Sequence, residues 1–205
     1  MTTLAPPPAA QSTPPAQLRL GEPAFPPTRL SLGQYHAMAE AGVLGPDDRV
    51  ELLDGVLVDK TTKRPRHVIV CDRLVDRLKA RFRDRFYTRQ EAPLTLFNSE
   101  PEPDASAVHG SEADYLARHP LGRECRLAVE VADSSMPRDL FKARLYAEAG
   151  VEEYWIVAVD AGEILIHREP SAGGYRSIRA ASEAETDLGG ETFGVKMTDL
   201  LDGLP

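Results

Sequence analysis

Arg126-Leu127-Ala128-Val129-Glu130-Val131-Ala132 places one glutamate inside an otherwise apolar run of strand length. Because every neighbour within the run is apolar, Glu130 belongs on a largely covered face of a sheet. An unpaired carboxylate in that position costs several kcal/mol or takes up a proton. It therefore needs a partner, and a core arginine, a lysine or a metal ion would each serve.

C-terminal to this strand, Ser135-x-Pro137 is a helix start, and the pattern from about Arg138 to Ala149 reads as a helix that stops at Gly150. Glu130 lies two residues before the strand end, roughly 7 Å back at about 3.3 Å per residue. Lys142 lies four residues into the returning helix, roughly 6 Å along at about 1.5 Å per residue. The two reach one level, so a lysine on the sheet-facing side brings its ammonium to Glu130; a solvated lysine is the alternative. Arg138, Lys142 and Tyr146 share one stripe at i, i+4 spacing, beside the apolar Phe141 and Leu145.

N-terminal to the strand, Pro103-Asp104 precedes the apolar run Ala105 to Val108. Proline is tolerated as the first residue of a strand, which puts Asp104 at a strand start, although a Pro-Asp pair by itself is more often a turn. In Arg49 to Val58, Asp54-Gly55 separates two apolar runs, a two-residue hairpin signal with Glu51 on the first arm. Between Arg66 and Phe86, Val70, Cys71, Leu74, Val75, Leu78 and Phe82 fall on one helical face. His67 opens that helix, and Arg73, Arg77, Arg81 and Arg85 give it a basic stripe.

The remaining elements are a short helix over Leu32 to Met38 capped by Thr28 or Ser31, and strands over Phe86 to Phe97, Tyr154 to Val159, Ile164 to Arg168 and Tyr175 to Arg179. Helix, strands, helix, strands predicts an α/β (α+β) fold, a mixed central sheet flanked by two principal helices. Eight prolines in residues 1–27 read as a disordered or polyproline-like tail, leaving 28–205 as one domain. Deletion of that tail is expected to leave the melting temperature almost unchanged.

No apolar run approaches the roughly 20 residues of a membrane span, and the N-terminus lacks the pattern of a secretory signal, so a soluble cytoplasmic protein is expected. Cys71 and Cys125 form neither a disulfide framework nor a zinc set and read as buried thiols. The net charge of −8 argues against polyanion affinity over the whole surface. Residues 60–89, however, hold eleven Lys/Arg against three Asp/Glu, a local excess of +8 that can meet a polyanion.

Taken together, Pro-Asp at a strand start, a glutamate in the next apolar strand and a nearby lysine resemble the PD-(D/E)XK nuclease superfamily. Over Leu30 to Leu200 the resemblance narrows to the restriction endonucleases of the Uma-two family. It is carried by Val50 to Val58, Pro65-x-His67, Pro103-Asp104, Val129-Glu130-Val131 and Lys142-x-x-x-Tyr146-x-x-x-Gly150-Val151-x-Glu153-Tyr154-Trp155.

The resemblance implies a restriction-endonuclease-like sheet with Asp104, Glu130 and Glu51 as metal ligands. One departure matters: the superfamily's plain pattern has lysine two positions after Glu130, where this chain has Ala132. Lys142 is the migrated replacement that the Uma-two pattern offers. Carboxylate oxygens suit Mg²⁺ or Mn²⁺, which would activate water and neutralise phosphate charge. Lys142 would orient that water or stabilise the developing charge.

His67 would touch phosphate or assist proton transfer, and Arg73, Arg77 and Arg81 would contact the DNA backbone unless they are simply solvated. The expectation is a metal-dependent endonuclease acting on DNA, as a homodimer if two sites cut two strands. The rival is a catalytically inactive nuclease-fold module that binds nucleic acid or protein. A glycosidase fits poorly, because 6% aromatic residues make no sugar platform and Lys142 would have no role.

Overall fold

The computed structural model describes residues 28–45, 47–82, 85–133 and 135–204; the proline-rich segment 1–27 lies outside the described residues. Helix α1 (Leu32–Glu40) starts at Ser31, whose hydroxyl accepts the Gln34 N–H while the Gln34 side chain accepts the Ser31 N–H, a reciprocal cap. Strands β1 (Val50–Leu53) and β2 (Val56–Asp59) form the hairpin expected around Asp54-Gly55. Both turn residues have positive φ, 49° and 75°, which matches the twist of the paired strands.

Helix α2 (Pro65–Phe82) buries the predicted face, Val70, Cys71, Leu74, Val75, Leu78 and Phe82. It ends at Phe82, the last residue of that face, and Phe86, which opens strand β3 (Phe86–Gln90), turns its ring edge-on to Phe82. That strand does not continue to Phe97. Glu91 has a φ of 47°, Pro93 offers no ladder donor, and the chain leaves the sheet with Phe97 96% exposed.

Next come β4 (Ala105–His109), β5 (Cys125–Ala132), α3 (Met136–Glu148), β6 (Glu153–Ala158), β7 (Glu163–Ser171) and β8 (Gly174–Ala181). They complete a six-stranded sheet of order β3-β4-β5-β6-β7-β8, parallel between β5 and β6 and antiparallel at its other pairings. A parallel pair requires a crossover, and α3 supplies it. The sheet is thus mixed, with α2 and α3 as its two main helices.

The period-2 alternation of β5 separates two cores. Leu127, Val129 and Val131 pack on the α2 side with Leu74, Leu78 and Trp155. Ala128 and Ala132 pack on the α3 side with Tyr146, Tyr154 and Ile156. Glu130 shares the α3 side with these two alanines, whose small side chains leave room for α3 to come close.

Among the elements that were not foreseen are β9 (Glu183–Asp187), β10 (Thr192–Lys196) and the short helix α4 (Met197–Leu201). The first two form a hairpin with alternate residues buried, Ala184 and Thr186 facing inward opposite Phe193 and Val195. Glu153 anchors that hairpin to the sheet. Its buried carboxylate accepts the Trp155 indole N–H at 2.7 Å and the Thr186 hydroxyl at 2.6 Å, and it pairs with Arg168 at 2.8 Å.

Gly55 fixes where the hairpin β1–β2 sits. A Cβ at that position would lie 2.7 Å from the Arg29 Cβ and 2.8 Å from the Leu30 carbonyl oxygen. Gly55→Ala is therefore expected to lower the unfolding free energy by about 1–3 kcal/mol in urea melts. An unchanged midpoint would show that the turn is not so constrained.

Candidate active site

Five segments meet at one cavity of about 350 Å³, whose lining includes Glu51, His67, Asp104, Glu130, Asp139 and Lys142. Lys142 projects from α3 and is 4% exposed. Its ammonium lies 3.0 Å from Glu130 Oε1 on β5 and 3.0 Å from Glu51 Oε2 on β1. The helical stripe anticipated at i, i+4 converges here: Arg138 reaches Glu51 Oε1 at 3.7 Å, and the Tyr146 hydroxyl donates to Glu130 Oε1 at 3.2 Å.

One ammonium serves two carboxylates, and the ionisation follows from that count. Burial alone would lower the Lys142 pKa, but the charges of Glu130 and Glu51 raise it, so the lysine stays protonated. Burial pushes Glu130 well above the usual carboxylate range, only partly offset by Lys142, while Asp104, Asp139 and Glu51 push it further up. The group of three carries a net −1 when Glu130 is ionised and is neutral when Glu130 holds a proton.

Asp104 immediately precedes β4, opposite the end of β5. Its Oδ2 accepts the Val131 N–H at 2.7 Å, in line with the β4–β5 ladder that ends at Ala105 and Val129. Its Oδ1 meets His67 Nε2 at 3.0 Å and Lys63 Nζ at 3.2 Å. Burial would raise the Asp104 pKa, but His67, Lys63 and the Val131 N–H together hold it below the usual range. His67 is raised in turn, since its bond to Asp104 outweighs its own burial.

Glu51, Asp104, Glu130, Lys142 and His67 are therefore neighbours in space. Arg73, Arg77 and Arg81 are not at the cavity. The basic stripe faces the C-terminal elements instead: Arg73 donates to the Leu200 carbonyl at 2.8 Å, Arg77 pairs with Asp199 at 3.2 Å and Arg81 with Glu191 at 3.0 Å. Four-residue spacing correctly put these arginines on one face, but the partner of that face, α4 with the β9–β10 hairpin, had not been read from the sequence.

Two functional groups escaped the sequence reading. Lys63, in the loop before α2, bridges Glu91 at 2.7 Å and Asp104 at 3.2 Å. Asp139 is 2% exposed in the first turn of α3, and its Oδ2 accepts a hydrogen bond from the Ser135 hydroxyl. Its i, i+3 relation to Lys142 was the available signal. Position 132 holds a buried alanine on the α3 side, and it is Lys142 that meets Glu130 there.

No helix among the described residues is long and apolar enough to cross a membrane. Among curated proteins, none matches this chain. A solved structure from Anabaena variabilis, described as "a putative nuclease belonging to DUF820", shares 14% sequence identity with a TM-score of 0.67, covering 83% of this chain and 97% of its own. At that identity the likeness shows a common fold. The sequence pattern of the Uma2 family, described as "Putative restriction endonuclease", matches residues 32–199. That span contains β1, α2, β5, α3 and the start of β4, every element that brings one of these side chains to the cavity, and the chain belongs to the Uma2 family of restriction-endonuclease-like nucleases.

Proposed function

We propose that the cavity hydrolyses phosphodiester bonds of DNA with the help of a divalent metal ion, Mg²⁺ or Mn²⁺. The observation that carries this reading is the convergence of Glu51 and Glu130 on one cation, the Lys142 ammonium, next to Asp104. The chemistry of the donors, though not their present spacing, suits a hard divalent ion. The donors are carboxylate oxygens, and Glu130 Oε2 takes no hydrogen bond among the described residues while burial disfavours its lone charge. Asp104, Glu130 and Glu51 would hold the ion, which would supply an activated water and neutralise charge on the scissile phosphate.

The chain's own groups do the rest. Lys142, held by two carboxylates, is positioned to orient the attacking water and to stabilise charge that develops on the phosphoryl oxygens. This reading makes Lys142 the working counterpart of the lysine absent at Ala132. His67 and Lys63 hold Asp104 ionised. Lys60, Lys63 and Arg64 lie on the cavity lining in the loop between β2 and α2, where a DNA phosphate can exchange with their present carboxylate partners. Two copies facing opposite strands are the simplest arrangement for a double-strand cut.

One observation favours a binding module without cleavage. Among the described residues, no three His, Cys, Asp or Glu side chains stand at metal-ligand spacing. A thermal-shift titration with Mn²⁺ separates the two readings: an ion-dependent rise that is lost in Asp104→Ala and Glu130→Ala supports hydrolysis, and no rise in the parent supports binding alone.

Lys142→Ala is expected to slow DNA cleavage by roughly 10²-fold or more, measured where circular dichroism shows it folded. Cleavage at the parent rate would make the lysine purely structural. Arg77→Ala and Arg81→Ala are expected to cost no more than about 1 kcal/mol each in denaturant melts, as exposed ion pairs do. They should also leave DNA affinity unchanged, and a weaker affinity would restore the basic stripe to the interface.

A further inference from the structure

Two acidic groups of the cavity, Asp48 and Asp139, have no ion-pair partner among the described residues, and of these only Asp139 is buried. Glu51, Asp104, Glu130, Glu91, Glu102 and Asp133 each have a cationic partner within ion-pair distance. Asp139 lacks one although it is 2% exposed. Among the described residues its side chain has one hydrogen bond, from the Ser135 hydroxyl to Oδ2, and none on Oδ1. It lines the same cavity one helical turn before Lys142, and the Tyr154 hydroxyl fixes that turn by donating to the Asp139 carbonyl at 3.0 Å.

A buried carboxyl with no counterion is most stable with a proton. Resting on the hydrolytic reading above, we propose that Asp139 is the general acid of this site and gives its proton to the oxygen that leaves the phosphorus atom. The attacking water forms the new P–O bond and releases its proton to solvent. The bond to the leaving oxygen breaks with its electron pair on that oxygen, which takes the Asp139 proton as the P–O bond lengthens. Solvent then reprotonates the aspartate.

The charges around it are consistent with that cycle. Burial pushes the Asp139 pKa up to about 6, against the opposing effects of the Ser135 hydrogen bond and the Lys142 charge. Asp104 and Glu51 push it further up, and Asp139 in turn helps to raise Glu130. From the sheet side, β6 contributes Tyr154, with His167 of β7 and Tyr175 of β8 packed behind its ring. Lys142 is the positive charge that opposes the shift; Arg138, next to Asp139 on α3 and on the same cavity lining, pairs with Glu51 instead. A raised pKa means that the acid form is present below it and is lost as pH rises through it.

The test compares the parent with Asp139→Asn on two diesters, duplex DNA and bis(4-nitrophenyl) phosphate, in the presence of Mn²⁺. Asparagine keeps an acceptor for Ser135 but has no acidic proton. DNA cleavage should fall by roughly 10²-fold or more, the scale of general-acid loss, and the alkaline limb of the parent's pH profile should disappear. The aryl diester, whose leaving group departs as an anion without a proton, should be cleaved at nearly the parent rate. Equal losses on both substrates, or no loss on DNA, would overturn the assignment. A parent that cleaves neither diester would instead overturn the hydrolytic reading, and the general acid with it. If Asp139→Asn melts early, the carboxyl ¹³C titration of the parent still decides: Asp139 holding its proton up to about pH 6 supports the proposal, and titration in the ordinary aspartate range overturns it.

Discussion

The ammonium of Lys142, held at 3.0 Å by both Glu51 and Glu130, is the constraint on which the site depends. It joins a hairpin, a central strand and a crossover helix that are distant in sequence, and all three side chains are at least 95% buried. Removing one partner from such a buried group commonly costs about 3–5 kcal/mol, because the remaining charge is left without compensation. An apolar trio would be no less stable on this count, so stability alone is a weak reason for burying these charges. Chemistry at the adjoining cavity is the better one.

The rest of the fold serves to bring those charges to one level. From Leu127 onward β5 alternates, sending its branched side chains to α2 and its alanines, with Glu130 between them, to α3. The small side chains of Ala128 and Ala132 let α3 approach closely, and α3 then carries Asp139, Lys142 and Tyr146 along one face. On the opposite face, α2 is held by the C-terminal hairpin and α4, and the arginine stripe is spent on that attachment. The loop between β2 and α2 adds Lys60, Lys63 and Arg64 to the cavity lining instead.

Asp104 shows how the sheet edge and the site are coupled. The β4–β5 ladder stops at Ala105, and the aspartate side chain accepts the next β5 N–H, that of Val131. The carboxylate therefore replaces a backbone acceptor and is fixed relative to Glu130, one residue away on β5. Its other oxygen is left to His67 and Lys63, which keep it ionised despite burial. A Pro-Asp pair ahead of a strand is a common turn sequence; here its position at the end of a ladder gives it a different role.

Sequence alone determined the elements with a strong period and a clear stop: the hairpin at Asp54-Gly55, the buried face of α2, the apolar strand around Glu130, and α3 between Pro137 and Gly150. It also placed Lys142 level with Glu130, because rise per residue in a strand and in a helix is fixed by backbone geometry. Period-2 alternation was present in β9 and β10 as well, on either side of Gly189-Gly190, but their apolar residues are few and their pattern is weak. What only the tertiary structure decided was the choice of partners. The arginines of α2 met α4 and the C-terminal hairpin, Lys63 met Asp104, and Asp139 met a hydroxyl where its neighbours met cations. Local periodicity fixes which face a side chain occupies, while the charge that waits there is set by residues remote in the chain, and that pairing exists only once the sheet and its two helices have closed around it.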